Sequence, residues 1–261
     1  MDAPLFARYE QAIRAVDLAR IGNPGQIPPG FVLGHDGRLS VCYIPFESVN
    51  LAAKVVIVGI TPGFTQWKNA IAEAQRQLAA GAALDDTLRA ARLAGAFSGA
   101  IRPNLVALLD AIGVQRWLGL ATCAGIFGAD AGLVHVTSIL RHAVFVNGKN
   151  YNGAPGMVRT PLLREQLLRY FAHEAAALPD ALYIPMGASV GEGLDWLVAQ
   201  GRLDAHRVLH GLPHPSGANA ERVAYFLGRK GKATLSAKTN GDQLDLAKAA
   251  LCAQVAALPR P

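Results

Sequence analysis

The sequence predicts an α/β fold: one domain on a central, mostly parallel four-stranded sheet with helices on both faces. Three observations predict it. Short apolar runs at 55–58, 133–140, 181–185 and 207–210 have the length and composition of strands buried on both faces. Stretches with apolar residues at helical spacing alternate with them. Glycine and proline punctuate the joins, and no repeat, low-complexity tract or linker divides the 261 residues.

The elements follow in order. Residues 4–20 carry Phe6, Tyr9, Ile13 and Val16 at helical spacing, an amphipathic helix. Asn23-Pro24-Gly25 and Pro28-Pro29-Gly30 then break regular structure, and 38–44 is an extended stretch of edge-strand type leading to Pro45 and Phe46. The first central strand, 55–58, drives into the turn Gly59-Ile60-Thr61-Pro62-Gly63. Trp67, Ile71, Ala74 and Leu78 mark the following helix, which ends near Gly81. A second helical run, 84–94, is interrupted at Phe97-Ser98-Gly99, and 104–112 is a third, with Gly113 placed to end it.

The strand 133–140 runs into a polar segment, 142–156, and the helix 161–177 opens on a proline where proline is tolerated. A third strand, 181–185, precedes the helix 187–200. The fourth, 207–210, leads to Gly211-Leu212-Pro213-His214-Pro215-Ser216-Gly217 and a helix through Leu227. Residues 242–257 form a closing helix that Asn240 can cap.

Composition narrows the class. With 51% hydrophobic residues the chain can bury a large core, yet no run approaches the roughly 18 apolar residues that span a bilayer. The N-terminus lacks the charged-then-apolar pattern of a secretion signal, so a cytoplasmic protein with no membrane partner is expected, acting as a monomer. Cys42, Cys123 and Cys252 are far apart and form neither a metal-ligand set nor a disulfide framework; no metal and no cofactor is expected. A net charge of +6 permits a polyanionic partner without requiring one.

In an open parallel sheet, ligands bind outside the C-terminal ends of the strands. There the sequence places 60–66, 138–153, 186–189 and 212–219, which hold most of its unusual residues. The first loop has neither the GxxxxGK[ST] nor the GxGxxG spacing, which argues against nucleoside triphosphates and dinucleotides. His214 is framed by Pro213 and Pro215, a rigid setting for a hydrogen-bonding imidazole.

Gly59-Ile60-Thr61-Pro62-Gly63 resembles the first motif of the uracil-DNA glycosylase superfamily, and His214-Pro215-Ser216-Gly217-Ala218-Asn219 resembles its second. Phe97-Ser98-Gly99 is similar to the segment bearing the base-stacking phenylalanine, and Tyr183-Ile184-Pro185-Met186-Gly187 to the strand and turn before the last motif. The resemblance covers about 40–230, in matching order. It implies a uracil-DNA glycosylase-like fold and a monofunctional glycosylase that flips uracil, or a related deaminated base, out of DNA and leaves an abasic site.

The resemblance also implies roles. His214 would donate to the base oxygen, with Thr61 and Gln66 orienting water and completing the catalytic set. Gly59, Ile60, Pro62, Gly63 and Phe64 would line the base pocket, with Phe97 stacking on the base and Phe64 as its rival. Ser138 stands where relatives read the base edge with asparagine; Asn150 or Asn152 are the alternatives. The stretch from Pro215, Ser216 and Gly217 would press into DNA with Ala218 or Asn219 as the wedge, and Arg222, Arg229, Lys230 and Lys232 would meet phosphates.

The departures predict slow chemistry. Active relatives carry Asp or Asn where Thr61 stands, and the iron–sulfur branch has glutamate at Gln66; neither residue here can take a proton from water near neutral pH. Gly63 leaves room for 5-substituted uracils where other members hold a bulky ring. A non-catalytic DNA- or damage-binding protein and a nucleoside hydrolase are the competing expectations.

Overall fold

The computed structural model describes residues 5–95 and 101–259. Its helices are α1 (Leu5–Ala15), α2 (Phe64–Ala79), α3 (Leu84–Gly95), α4 (Ile101–Ala111), α5 (Val114–Trp117), α6 (Pro161–Gln166), α7 (Ala172–Ala176), α8 (Ala188–Ala199), α9 (Ala220–Phe226) and α10 (Gly241–Ala257). Its strands are β1 (Val32–Asp36), β2 (Leu39–Cys42), β3 (Val55–Gly59), β4 (Val134–Ser138), β5 (Ala143–Val146), β6 (Lys149–Asn150) and β7 (Leu182–Pro185). The chain is α/β, and it divides into two compact units, each gathered from separate stretches of sequence. The described residues of Met1–Val49, Ile60–Ala96 and Thr137–Glu174 form the first unit; those of Asn50–Gly59, Phe97–Val136 and Ala175–Pro261 form the second.

The first unit has an antiparallel sheet in the order β1-β2-β5-β6. Leu39 pairs with Val146 and Cys42 with Ala143, which puts β5 inside the segment 142–156 that the sequence presents as a polar loop. Only four apolar residues mark β5, and pairing with β2 makes them a strand; local pattern carries too little signal. The turn to β6 is Asn147-Gly148, both at positive φ (48° and 68°), which matches the twist of a two-residue hairpin. The core of this unit is aromatic: Phe6, Tyr9, Phe31, Tyr43, Trp67 and Phe145 pack with the inner faces of α2 and α3. Tyr9 stacks on Tyr43 with ring centroids 4.0 Å apart.

The predicted helix at 161–177 is present as α6, a π-helical stretch Leu167–Phe171, and α7. Glu174, in α7 and buried, accepts from Arg141 Nε at 3.0 Å and Nη2 at 2.7 Å, and Arg92 Nη2 lies 3.5 Å from it. Burial pushes the fully enclosed Arg92 guanidinium down to about 10.

The second unit is built on β3, all of whose residues are buried. It runs parallel to β7, Val55 opposite Leu182 and Val58 opposite Pro185, in a sheet of order β4-β3-β7. The last two residues of β4, Thr137 and Ser138, belong to the first unit. The fourth predicted strand, 207–210, contributes one parallel bridge from Val208 to Tyr183, with Leu209 N donating to Tyr183 O at 2.9 Å. A 3-10 turn at Ala205–Arg207 and the left-handed Gly211 (φ 104°) leave no length for more. Val55, Ile57, Leu105, Leu109, Ile184 and Phe226 are among the core residues here. Gly113 (φ 89°) ends α4 as predicted, and Asn240 Oδ1 caps α10 by accepting from Gln243 N at 3.1 Å.

Cys42 and Cys123 are buried and Cys252 is half-buried; all three are free thiols. Burial pushes the first two thiols above the usual range. Among the described residues no helix is long and apolar enough to cross a membrane.

Candidate functional site

Three of the polar residues singled out in the first unit turn out to hold the loop after β3. The Thr61 hydroxyl is buried; it donates to His142 O at 2.8 Å and accepts from Val144 N at 3.1 Å. Gln66 accepts from Gly63 N at 2.8 Å through Oε1 and donates to Gly95 O at 2.9 Å through Nε2. Asn150 Oδ1 accepts from Phe64 N at 2.9 Å. The hairpin β5–β6 thus grips the loop at Thr61 and at Phe64, and Gln66 closes the start of α2.

The consequence for chemistry is direct. The Thr61 proton is committed, and the amides of two residues expected to line the base pocket, Gly63 N and Phe64 N, already have side-chain partners. Pro62 is buried and offers no N–H, and Ile60 O accepts from Leu140 N at 3.0 Å. Both N–H groups of Asn150 remain as donors, and a Cβ on Gly63 would sit 3.3 Å from that Nδ2. Ser138 is buried at the end of β4. Asn152 is exposed, with Oδ1 3.4 Å from Ala154 N in a local turn. Phe64 is half-buried, its ring nearly parallel to Trp67 at 6.4 Å. Phe97 lies outside the described residues.

Behind the loop, His142 is buried with Nδ1 accepting from Ile44 N at 3.4 Å and its ring edge-on to Tyr170 at 4.5 Å. Burial, reinforced by Arg141, holds it neutral. Thr61→Val tests the bracing role. It keeps the shape but strands His142 O and Val144 N, at about 1–3 kcal/mol for each buried group. A loss of about 2 kcal/mol or more in urea unfolding is expected, with Thr61→Ser near wild type. An unchanged midpoint for the valine variant would remove the brace.

In the second unit His214 sits between buried Pro213 and Pro215. Its Nδ1 accepts from Ser216 N at 3.2 Å. An accepting Nδ1 is unprotonated, so the proton of the neutral ring is on Nε2. Partial burial lowers the pKa of the ring, which keeps this form at neutral pH. The ring edge packs on Gly187, where a Cβ would meet Cδ2 at 3.7 Å; the φ of 108° there is what requires glycine. Asn104 Nδ2 donates to Pro215 O at 3.0 Å and fixes the loop from α4. The sequence placed Asn104 only as the start of a helix; a carboxamide beside Leu105, Leu108 and Leu109 was the available signal.

Gly217–Asn219 forms a 3-10 turn that starts at Ser216. Of the two wedge candidates Ala218 is exposed, whereas Asn219 is half-buried with Nδ2 3.4 Å from Ser216 Oγ. Lys230 pairs with Glu221 at 2.7 Å, and Lys232 with Asp242 and Asp245. Arg222 donates to Asn219 Oδ1 at 3.4 Å and Lys238 O at 3.2 Å, while Arg229 is exposed. A separate depression of about 450 Å³, lined by Lys54, Trp117, Leu178, Asp180 and Arg207, lies where the chain enters β3 and β7.

No family model and no solved structure matches the chain. Over 203 residues it is 35% identical to the uncharacterized protein YoxB of Bacillus subtilis (strain 168), covering 77% of this chain and 79% of that one. The chain belongs to the YoxB family. At 77% of this chain, the stretch shared with YoxB is far longer than any one motif.

Proposed function

We propose that this member of the YoxB family is a monofunctional DNA glycosylase that releases uracil, or a related deaminated base, from DNA. The observation that carries the proposal is the hydrogen bond from Ser216 N to His214 Nδ1, between two buried prolines, which leaves Nε2 to carry the proton of the neutral ring. Such a donor suits a base leaving with negative charge. In the reaction the C1′–N bond breaks and its electron pair departs with the base, whose oxygen is hydrogen-bonded by Nε2–H. Water adds to C1′, and its proton ends on the released base. A preorganised donor of this kind costs no reorganisation as charge develops.

The substrate is DNA, the fold that of the uracil-DNA glycosylases with 207–210 as the fourth parallel strand, and the setting cytoplasmic. Thr61 and Gln66 serve as framework, so water is oriented without a general base, and the chemistry is slow.

A second reading, a DNA-binding protein without catalysis on the same fold, is favoured by that commitment of Thr61 and Gln66 to the loop. One experiment separates the two. Oligonucleotides with uracil, hypoxanthine, xanthine or 5-hydroxymethyluracil, single- and double-stranded, are incubated with the protein and then heated in alkali. Strand breaks that need the alkali are expected for at least one base. Tight binding with intact strands in every context would select the second reading.

A further inference from the structure

Residues 227–240, between α9 and α10, hold one short 3-10 turn, Lys232–Thr234, and are mostly exposed. Ordering such a segment costs conformational entropy at every residue, and few of its side chains are buried. One carboxylate supplies most of the anchorage. Glu221, in the first turn of α9, accepts from Lys230 Nζ at 2.7 Å and Ser236 N at 3.2 Å through Oε1. Its Oε2 accepts from Ser236 Oγ at 2.5 Å and Thr239 Oγ1 at 2.6 Å. Hydrogen bonds from Lys230, then from Ser236 and Thr239, hold this carboxyl far below the usual range, so it stays an acceptor for all of them.

Its neighbour Arg222 ties the same segment to the turn after His214, through Lys238 O and Asn219 Oδ1. At the far end, Lys232 pairs with Asp242, and Gly241 fits so closely that a Cβ would meet Leu235 Cδ1 at 3.0 Å. The fixed segment carries Arg229, Lys230, Lys232 and Lys238. A merely solvated loop has no need of a four-donor anchor. Lysines and arginines on one held segment, Lys230 and Lys232 kept in place by their carboxylate partners, are what a phosphate backbone requires.

We propose that Glu221 is the positioning residue of a phosphate-contacting surface on segment 227–240, held in register with the His214 loop; this rests on the DNA reading above. The assignment makes a prediction of unusual sign. Removing a carboxylate from a basic surface strengthens polyanion binding if electrostatics alone act. Glu221→Ala is expected to weaken it instead, because the loosened cations no longer act together.

The probe is a fluorescein-labelled, uracil-containing oligonucleotide titrated by anisotropy from about 50 to 200 mM salt, the range over which phosphate contacts show. Glu221→Ala is expected to raise Kd about tenfold and to flatten the slope of log K on log salt by about 1–3. Glu221→Gln, which keeps a neutral acceptor, should fall between. Hydrogen exchange at 229–240 should quicken in the alanine variant. Unchanged or tighter binding by Glu221→Ala, or slow exchange retained there, overturns the assignment. Were that to happen while base release still depends on His214, the glycosylase reading would stand alone. Binding with the expected slope change but without base release would sustain the surface and sink the glycosylase. A wild-type protein that binds no DNA sinks both.

Discussion

His214→Ala is expected to slow single-turnover release of uracil by about 10²–10³-fold, the usual worth of a preorganised donor to developing negative charge. DNA affinity should change far less, because the lost hydrogen bond strengthens only as the base departs. The pH profile carries the sign of the mechanism. Burial lowers the His214 pKa from its ordinary 6.5, so the neutral ring is the resting form at pH 7. Protonation would put a hydrogen on Nδ1, facing the Ser216 N–H that now donates to it at 3.2 Å. Two donors cannot share that contact, and the loop loses its register. The rate should therefore be level above pH 6.5 and fall in acid, with the midpoint below the ordinary histidine value. Alkali-developed gels over a pH series measure it. Near-wild-type release by His214→Ala would sink the assignment, as would a rate that climbs steadily into acid.

The second unit was more legible in the sequence than the first. β3, β7 and α8 follow from near-continuous apolar runs and glycine breaks, because a strand buried on both faces must be apolar at each position. β5 and β6 lie in a segment that reads as polar, and only the register with β2 makes a strand of them. The Asn147-Gly148 turn was the available local sign, a hairpin dipeptide between short flanks.

Site chemistry divides in the same way. His214 was legible because its prolines fix its surroundings locally. Thr61, Gln66 and Asn150 were legible as polar residues near a loop, whereas their partners, Val144, Gly95 and Phe64, are set by folding at separations of 83, 29 and 86 residues. Spacing along the chain cannot show whether a side chain holds a ligand or its own backbone.

The largest effect on stability is expected at Glu174. It is buried and takes two hydrogen bonds from Arg141 while Arg92 lies 3.5 Å away. Glu174→Gln preserves the volume but removes the counter-charge for two enclosed guanidinium groups. Burial already pushes the Arg92 guanidinium down to about 10, so this interior tolerates a bare cation poorly. Breaking a buried pair from one side costs about 3–5 kcal/mol, because the remaining charge stays buried without compensation. The exposed pair of Glu73 and Arg76, at 2.6 Å, is geometrically as good. Water screens it, so Glu73→Gln should leave the unfolding midpoint nearly unchanged. Urea unfolding of the two variants side by side measures the contrast. Equal midpoints would mean that the Glu174 carboxylate is solvated in solution, and the polar core of the first unit would lose its central charge.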